Sequence, residues 1–112
     1  GDVLRIGGFL VDPAEIEEAV LSASGANACQ VVAVNAAGSS RPVAFVVLDT
    51  GSAIDEDAIK TQLQQQIARY KVPIRILTVE SFPYTMGPNG MKVKRNELRD
   101  LAQTLLAQEA SK

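Results

Sequence analysis

Histidine and tryptophan are absent from this 112-residue chain, cysteine occurs once, and aromatic residues make up only 4% of it. The lone Cys29 lies in the apolar run 29–34, so an internal disulfide and a cysteine-based zinc site are both excluded, and a small buried hydrophobe is its expected role. Glu15 and Glu17 are clustered carboxylates, but with no histidine to join them and helix capping to explain Glu15, no metal site is assigned. An excess of positive charge is also missing. Eleven basic against thirteen acidic residues give a formal charge of -2 and a pI near 5.0, so no global field draws the chain to nucleic acid or anionic lipid. No run is long enough for a membrane span and no signal peptide precedes the first element, which makes the cytoplasm the expected location. Repeats, low-complexity segments and a phosphate-cradling glycine loop opening a helix are lacking as well.

What is present is 46% hydrophobic content, enough for one domain with a modest core. Residues 1–6 enter an apolar strand almost without a leader, an arrangement expected of a cut at a domain border. Two short apolar runs flank Gly7-Gly8, the pattern of a two-residue hairpin. Asp12-Pro13-Ala14-Glu15 starts a helix, with Asp12 as N-cap, Pro13 at the first helical position and Glu15 closing a capping box. Along it Ile16, Ala19, Val20 and Ala23 face inward, Glu17, Glu18 and Ser22 face out, and Gly25 ends it.

Residues 29–34 and 42–48 are nearly continuous apolar strands joined by the polar loop 35–41, so both faces of their hairpin should be covered. Asp55 caps a second helix, with Ile54 stapled to Ile59 and an inward line through Ile59, Leu63 and Ile67. A third strand spans 74–79, and a final helix runs from about Arg95 with Leu98, Leu101, Ala102 and Leu105 inward. The order β-β-α-β-β-α-β-α predicts an α+β domain with a central three-stranded sheet flanked by helices and a separate N-terminal β-hairpin.

The most informative stretch is 81–99, which sets Lys92 just past a tight glycine turn and just ahead of a helix. An ammonium presented on such a tip suits an anion supplied from elsewhere. Three segments together carry a family resemblance: Leu4-Arg5-Ile6-Gly7-Gly8-Phe9-Leu10-Val11-Asp12-Pro13-Ala14-Glu15-Ile16-Glu17, then Tyr70-Lys71-Val72-Pro73, then Lys92-Val93-Lys94-Arg95-Asn96-Glu97-Leu98-Arg99. Over essentially its whole length the chain resembles the small C-terminal domain of the AMP-forming acyl-CoA synthetases, the adenylate-forming relatives of aryl-CoA ligases, luciferases and peptide-synthetase adenylation domains.

The resemblance implies a lid whose large N-terminal partner domain, outside this chain, holds ATP, Mg²⁺ and the acid. It implies Lys92 as the adenylation lysine, which orients the carboxylate and the α-phosphate and neutralises charge as pyrophosphate leaves. Met91 stands where the family has glycine, which keeps Lys94 as a second candidate. It also implies that the domain rotates after adenylation and brings a glycine-bearing loop to the pantetheine arm of CoA, with Gly8 the foremost tunnel residue and Gly7 and Phe9 beside it. Arg5 matches a basic position near the nucleotide, a paired surface arginine being its other reading, and Leu10 replaces a frequently polar position. The hinge falls at Gly1 or Asp2. The isolated chain is then expected to be inactive. Other readings are a lid of the peptide-synthetase type, a stand-alone interaction or ligand-sensing module, and a nucleic-acid module built on the GxxG string Gly87-Pro88-Asn89-Gly90; acidic pI and scarce aromatics oppose the last.

Overall fold

A computed structural model describes residues 3–111. The chain begins as an antiparallel pair, β1 (Leu4–Ile6) and β2 (Phe9–Val11), closed by Gly7 and Gly8 at φ +57° and +88°. Two successive positive φ values are what a type I′ turn requires and what glycine adopts without a Cβ penalty. Helix α1 (Pro13–Ser24) follows, and the Ala14 N–H donates to Asp12 Oδ1 at 2.9 Å as the expected N-cap. Glu15 departs from the capping box: its carboxylate turns to Lys71 Nζ at 2.7 Å.

Strands β3 (Ala28–Ala36) and β4 (Ser39–Val47) run further than the apolar pattern implied, reducing the polar loop to a turn at Ala37-Gly38. At the turn end of the hairpin Asn35 is paired with Ser40 and Ala36 with Ser39, so backbone pairing outlasts the hydrophobic run. Strand β5 (Arg75–Thr78) lies parallel to β4, giving the order β3-β4-β5. Pro42, with no N–H to donate, still accepts from the Ile74 N–H at 2.9 Å and so opens that pairing. Helix α2 (Glu56–Gln64) is capped by Asp55, whose Oδ1 accepts from the Ala58 N–H at 3.1 Å; a 3-10 turn over Arg69–Lys71 leads into β5.

Alternation along the sheet splits the core, as both-face burial requires. Cys29, Val31, Ala44, Val46 and Ile76 pack with Ile16 and Val20 of α1, Ile59 and Leu63 of α2, and Ile6 and Val11 of the first hairpin. On the opposite face Val32, Val34, Val43 and Phe45 meet Phe82 and the Leu98 and Ala102 of α3 (Arg95–Ala110). Ile54 joins Ile59 in the first cluster, as the staple predicted. Leu101 does not turn inward: it is 40% exposed, and Leu106 packs on the second cluster. The α+β architecture with its three-stranded sheet is as expected, while a further antiparallel hairpin, β6 (Tyr84–Gly87) with β7 (Gly90–Val93), was not anticipated. Its residues are almost all exposed, so no burial alternation announces it. No helix among the described residues is long and apolar enough to cross a membrane.

Candidate functional site

Lys92 sits on β7 directly across from Thr85 of β6, and alternation puts the two side chains on one face of that hairpin. This face borders an open cleft of about 610 Å³ whose polar lining comprises Arg5, Thr85, Lys92, Arg95, Asn96 and Arg99. Arg5 and Lys92, 87 positions apart by subtraction, are thus brought together by the packing of β1 and the β6–β7 hairpin around the β3 edge. Among the described residues, neither has a carboxylate at ion-pair distance, whereas Lys94 lies 3.6 Å from Glu97. Lys94 is also the residue at the start of α3, its N–H tied to the Pro83 carbonyl at 2.8 Å. The two lysine candidates are therefore unlike: Lys92 lines the cleft without an ion-pair partner among the described residues, and Lys94 is paired and anchors a helix start.

Residues that sequence reasoning did not single out hold this cleft in shape. The carboxylate of Glu17, expected on the solvent face of α1, is only 15% exposed. Its Oε2 accepts from the Val31 N–H at 2.9 Å and from Arg95 Nη2 at 3.3 Å, while Arg95 Nη1 donates to the Val31 carbonyl at 2.7 Å. Val31 faces Ala44 in the register, and β3 is an edge strand, so this peptide N–H and carbonyl point away from the sheet and need partners there. One acid and one base, from α1 and α3, satisfy both. Burial pushes the Glu17 carboxyl above its ordinary value, more than the Val31 N–H and Arg95 pull it down. Four positions further along the same edge, Gln103 donates to the Asn35 carbonyl at 3.1 Å and accepts from its N–H at 2.8 Å. The signal available in sequence was the pairing of Glu17 and Arg95 within two separate motif segments, but nothing in periodicity says that they meet.

The glycine turn forms a second locus. Phe9, 55% exposed, stacks on Tyr70 with ring centroids 4.6 Å apart and a 26° interplanar angle. Lys71 Nζ lies 5.7 Å from the Tyr70 centroid and pairs with Glu15, which raises its pKa through that hydrogen bond. Tyr70-Lys71-Val72-Pro73 therefore braces the first hairpin against the start of α1, with Val72 buried below. A Cβ built on Gly8 has no neighbour within 4 Å, so the turn presents open backbone outward. Gly7, Gly8 and Phe9 thus cluster with Tyr70, away from the polar lining shared by Arg5 and Lys92. Leu10 is 69% exposed. The hinge positions Gly1 and Asp2 lie outside the described residues.

Among the described residues no three His, Cys, Asp or Glu side chains come together as a metal site. Cys29 is buried, and desolvation, reinforced by Glu17, pushes its thiol up to about 12.

A family model described as the AMP-binding enzyme C-terminal domain matches residues 15–86. The chain is 33% identical over 102 residues to a long-chain-fatty-acid–CoA ligase of Salmonella typhimurium, covering 91% of this chain and 18% of that protein. It is 36% identical over 101 residues to a 2-succinylbenzoate–CoA ligase of Geobacillus kaustophilus, covering 89% and 20% respectively. Among solved structures, apo MatB from Rhodopseudomonas palustris superposes with a TM-score of 0.77 at 34% identity, over 89% of this chain and 20% of MatB. An anthranilate CoA ligase bound to anthranoyl-AMP gives a TM-score of 0.78 at 27% identity, over 95% of this chain and 21% of the ligase. The chain spans about a fifth of the length of the relatives it matches.

Proposed function

Because the chain belongs to the AMP-binding enzyme C-terminal domain family, we propose that it is the mobile lid of an AMP-forming acid–CoA ligase whose large N-terminal domain lies outside it. The observation that carries this reading is Lys92, without an ion-pair partner among the described residues, on an exposed hairpin and lining the same cleft as Arg5. In the first half-reaction an acid carboxylate oxygen attacks the α-phosphorus of ATP, the bond to the bridging oxygen breaks, and pyrophosphate leaves. Lys92 supplies a positive charge where negative charge builds up, and the large domain closing over the cleft removes water that would screen it. Arg5 stands by the nucleotide. After adenylation the lid turns, Lys92 withdraws, and the Gly7–Gly8 turn comes to line the path of the pantetheine thiol, which attacks the acyl carbonyl and releases AMP. Open backbone at Gly8 leaves that path clear, and the Phe9–Tyr70 stack keeps the turn in one geometry.

Mg²⁺ enters with ATP and is held by the large domain in this reading, which also leaves the isolated chain without activity. The test is acid-dependent ATP–pyrophosphate exchange by the full-length enzyme. Lys92→Ala lowers it ~10²–10³-fold, the cost of one preorganised transition-state charge, while thioester formation from presynthesised acyl-AMP survives. Lys94→Ala leaves exchange near wild type. If Lys94 rather than Lys92 abolishes exchange, the assignment is wrong, and if no upstream reading frame encodes a large domain with a Ser/Thr/Gly-rich phosphate loop, the lid reading itself falls.

A further inference from the structure

Lys92 is carried by a hairpin that burial does not hold. Residues 84–87 and 90–92 are all exposed, and a two-stranded ribbon alone in water is marginal at best, so the aim of the lysine is set from outside the hairpin. Its base is closed by the Lys94 N–H, which donates to the Pro83 carbonyl at 2.8 Å, with Phe82 and Val93 packed on the second cluster below. A single residue separates β7 from α3, and the first residue of α3 is Arg95. Its guanidinium reaches the β3 edge with two prongs: Nη1 donates to the Val31 carbonyl at 2.7 Å and Nη2 to Glu17 Oε2 at 3.3 Å, while that same carboxylate oxygen accepts from the Val31 N–H at 2.9 Å. Arg95 also lines the Lys92 cleft, and Glu17 does not.

We propose that Glu17 and Arg95 are positioning residues for Lys92, a clamp that fixes the angle at which its hairpin leaves the sheet; the proposal rests on the lid reading above. The bond between Lys94 and Pro83 sets the spacing of the two strands at their base but leaves the ribbon free to tilt. A planar guanidinium held at two points, a carbonyl and a carboxylate, does not turn about either, so the Arg95 fork removes that freedom. Glu17 is in turn held by the Val31 N–H, so the clamp ties the start of α3, the edge of β3 and α1 into one frame next to Lys92. An ammonium on a flexible stem speeds adenylation only where the backbone delivers it to the developing charge, and a displacement of about 1 Å that originates far from the chemistry can cost ~10²-fold. The second half-reaction, from which Lys92 has withdrawn, makes no such demand on the clamp.

The experiment measures both half-reactions in the full-length enzyme carrying Arg95→Lys, Glu17→Gln or the two together. Arg95→Lys keeps a positive charge at the cleft and loses the planar fork, whereas Glu17→Gln keeps an acceptor for the Val31 N–H and loses the carboxylate charge. Arg95→Lys is expected to lower kcat for acid-dependent ATP–pyrophosphate exchange ~10–10²-fold and Glu17→Gln ~3–10-fold, with KM for ATP and thioester formation from presynthesised acyl-AMP within about twofold of wild type. Because the two residues act as one clamp, the double variant is expected to fall below Arg95→Lys by no more than about twofold. Exchange near wild type in Arg95→Lys shows that charge alone suffices and overturns the proposal. So does a rise in KM for ATP at unchanged kcat, which makes Arg95 a nucleotide contact, and so does parallel loss of both half-reactions, which makes the clamp a matter of folding alone. Where Arg95→Lys fails a thermal melt, Glu17→Gln decides, and unchanged exchange in that variant overturns the proposal as well. Wild-type enzyme whose exchange is indifferent to Lys92→Ala refutes the lid reading instead.

Discussion

Truncating Glu17 to alanine removes an acceptor that the open edge of β3 depends on. The Val31 N–H loses its 2.9 Å partner beneath α1, and an unmet buried donor costs about 1–3 kcal/mol. Arg95 loses one of its contacts but keeps the Val31 carbonyl at 2.7 Å. With side chains 15% and 24% exposed, the ion pair is partly open to water, so its loss adds about 1 kcal/mol rather than the 3–5 of a sealed pair. Relief of the carboxylate's desolvation offsets part of this, leaving about 2–3 kcal/mol, or a fall of about 8–12 °C in Tm for a domain of this size. Glu17→Gln keeps an acceptor for Val31 and drops the charge, so it costs about 1 kcal/mol or less. Urea unfolding of the 112-residue chain, with m unchanged, reads both. The sign of the pH effect also follows. Because burial raises the Glu17 pKa, its contribution is complete below the ordinary carboxylate value of 4.5 and declines as pH rises through the raised folded value. The difference between wild type and Glu17→Gln therefore moves in favour of the variant as pH climbs from 4 toward 7. Glu17→Ala within about 0.5 kcal/mol of wild type, or Glu17→Gln as damaging as Glu17→Ala, would refute the edge-capping argument.

A Cβ at Gly8 meets no atom within 4 Å, so the cost of Gly8→Leu is expected from the positive φ, about 1–2 kcal/mol, and the domain stays folded in a thermal melt. In the full-length enzyme it blocks thioesterification and spares pyrophosphate exchange; equal loss of both, or of neither, reduces Gly8 to a turn residue. Desolvation raises the Glu56 carboxyl, but Arg75, the Ile76 N–H and Lys60 together outweigh it and hold the pKa below 4.5. Stability from Glu56 is thus present above 4.5 and lost as pH falls through the lowered value, so Glu56→Gln flattens the acid limb of a urea-midpoint series from pH 6 to 3; an unchanged limb contradicts this. Cys29, with its thiol pushed up to about 12, is expected to resist iodoacetamide at pH 8 in the native state and react within minutes in urea, and rapid native alkylation would show that the site opens.

The elements whose pattern is set by burial were legible in the sequence. The nearly continuous apolar runs of β3 and β4, the Asp12-Pro13 start of α1 and the Gly7-Gly8 turn each follow from local chemistry that tertiary packing does not override. Lys92 was singled out for a different reason, because its motif neighbours resemble a known arrangement. Three features were not legible. The β6–β7 hairpin is exposed on both faces, so its residues carry no period-2 signal. Leu106 continues the i+4 row of Leu98 and Ala102 onto the second cluster, while Leu101 lies off that row and stays exposed. Glu17 looked like a solvent residue because helical spacing reports which side of α1 faces the core, not that an edge strand with unmet peptide groups lies alongside it.

Both margins of the central sheet end in the same way. Glu17, Arg95 and Gln103 occupy outward peptide groups of β3, and Glu56 Oε2 takes the Ile76 N–H of β5 at 2.6 Å. A bare sheet margin is a template for another strand, and an uncapped one would present that template to every other copy in solution. Side-chain caps on both margins leave no vacant row of peptide groups at those positions. A domain capped in this way does not acquire a strand from another copy, and so keeps its sheet to itself.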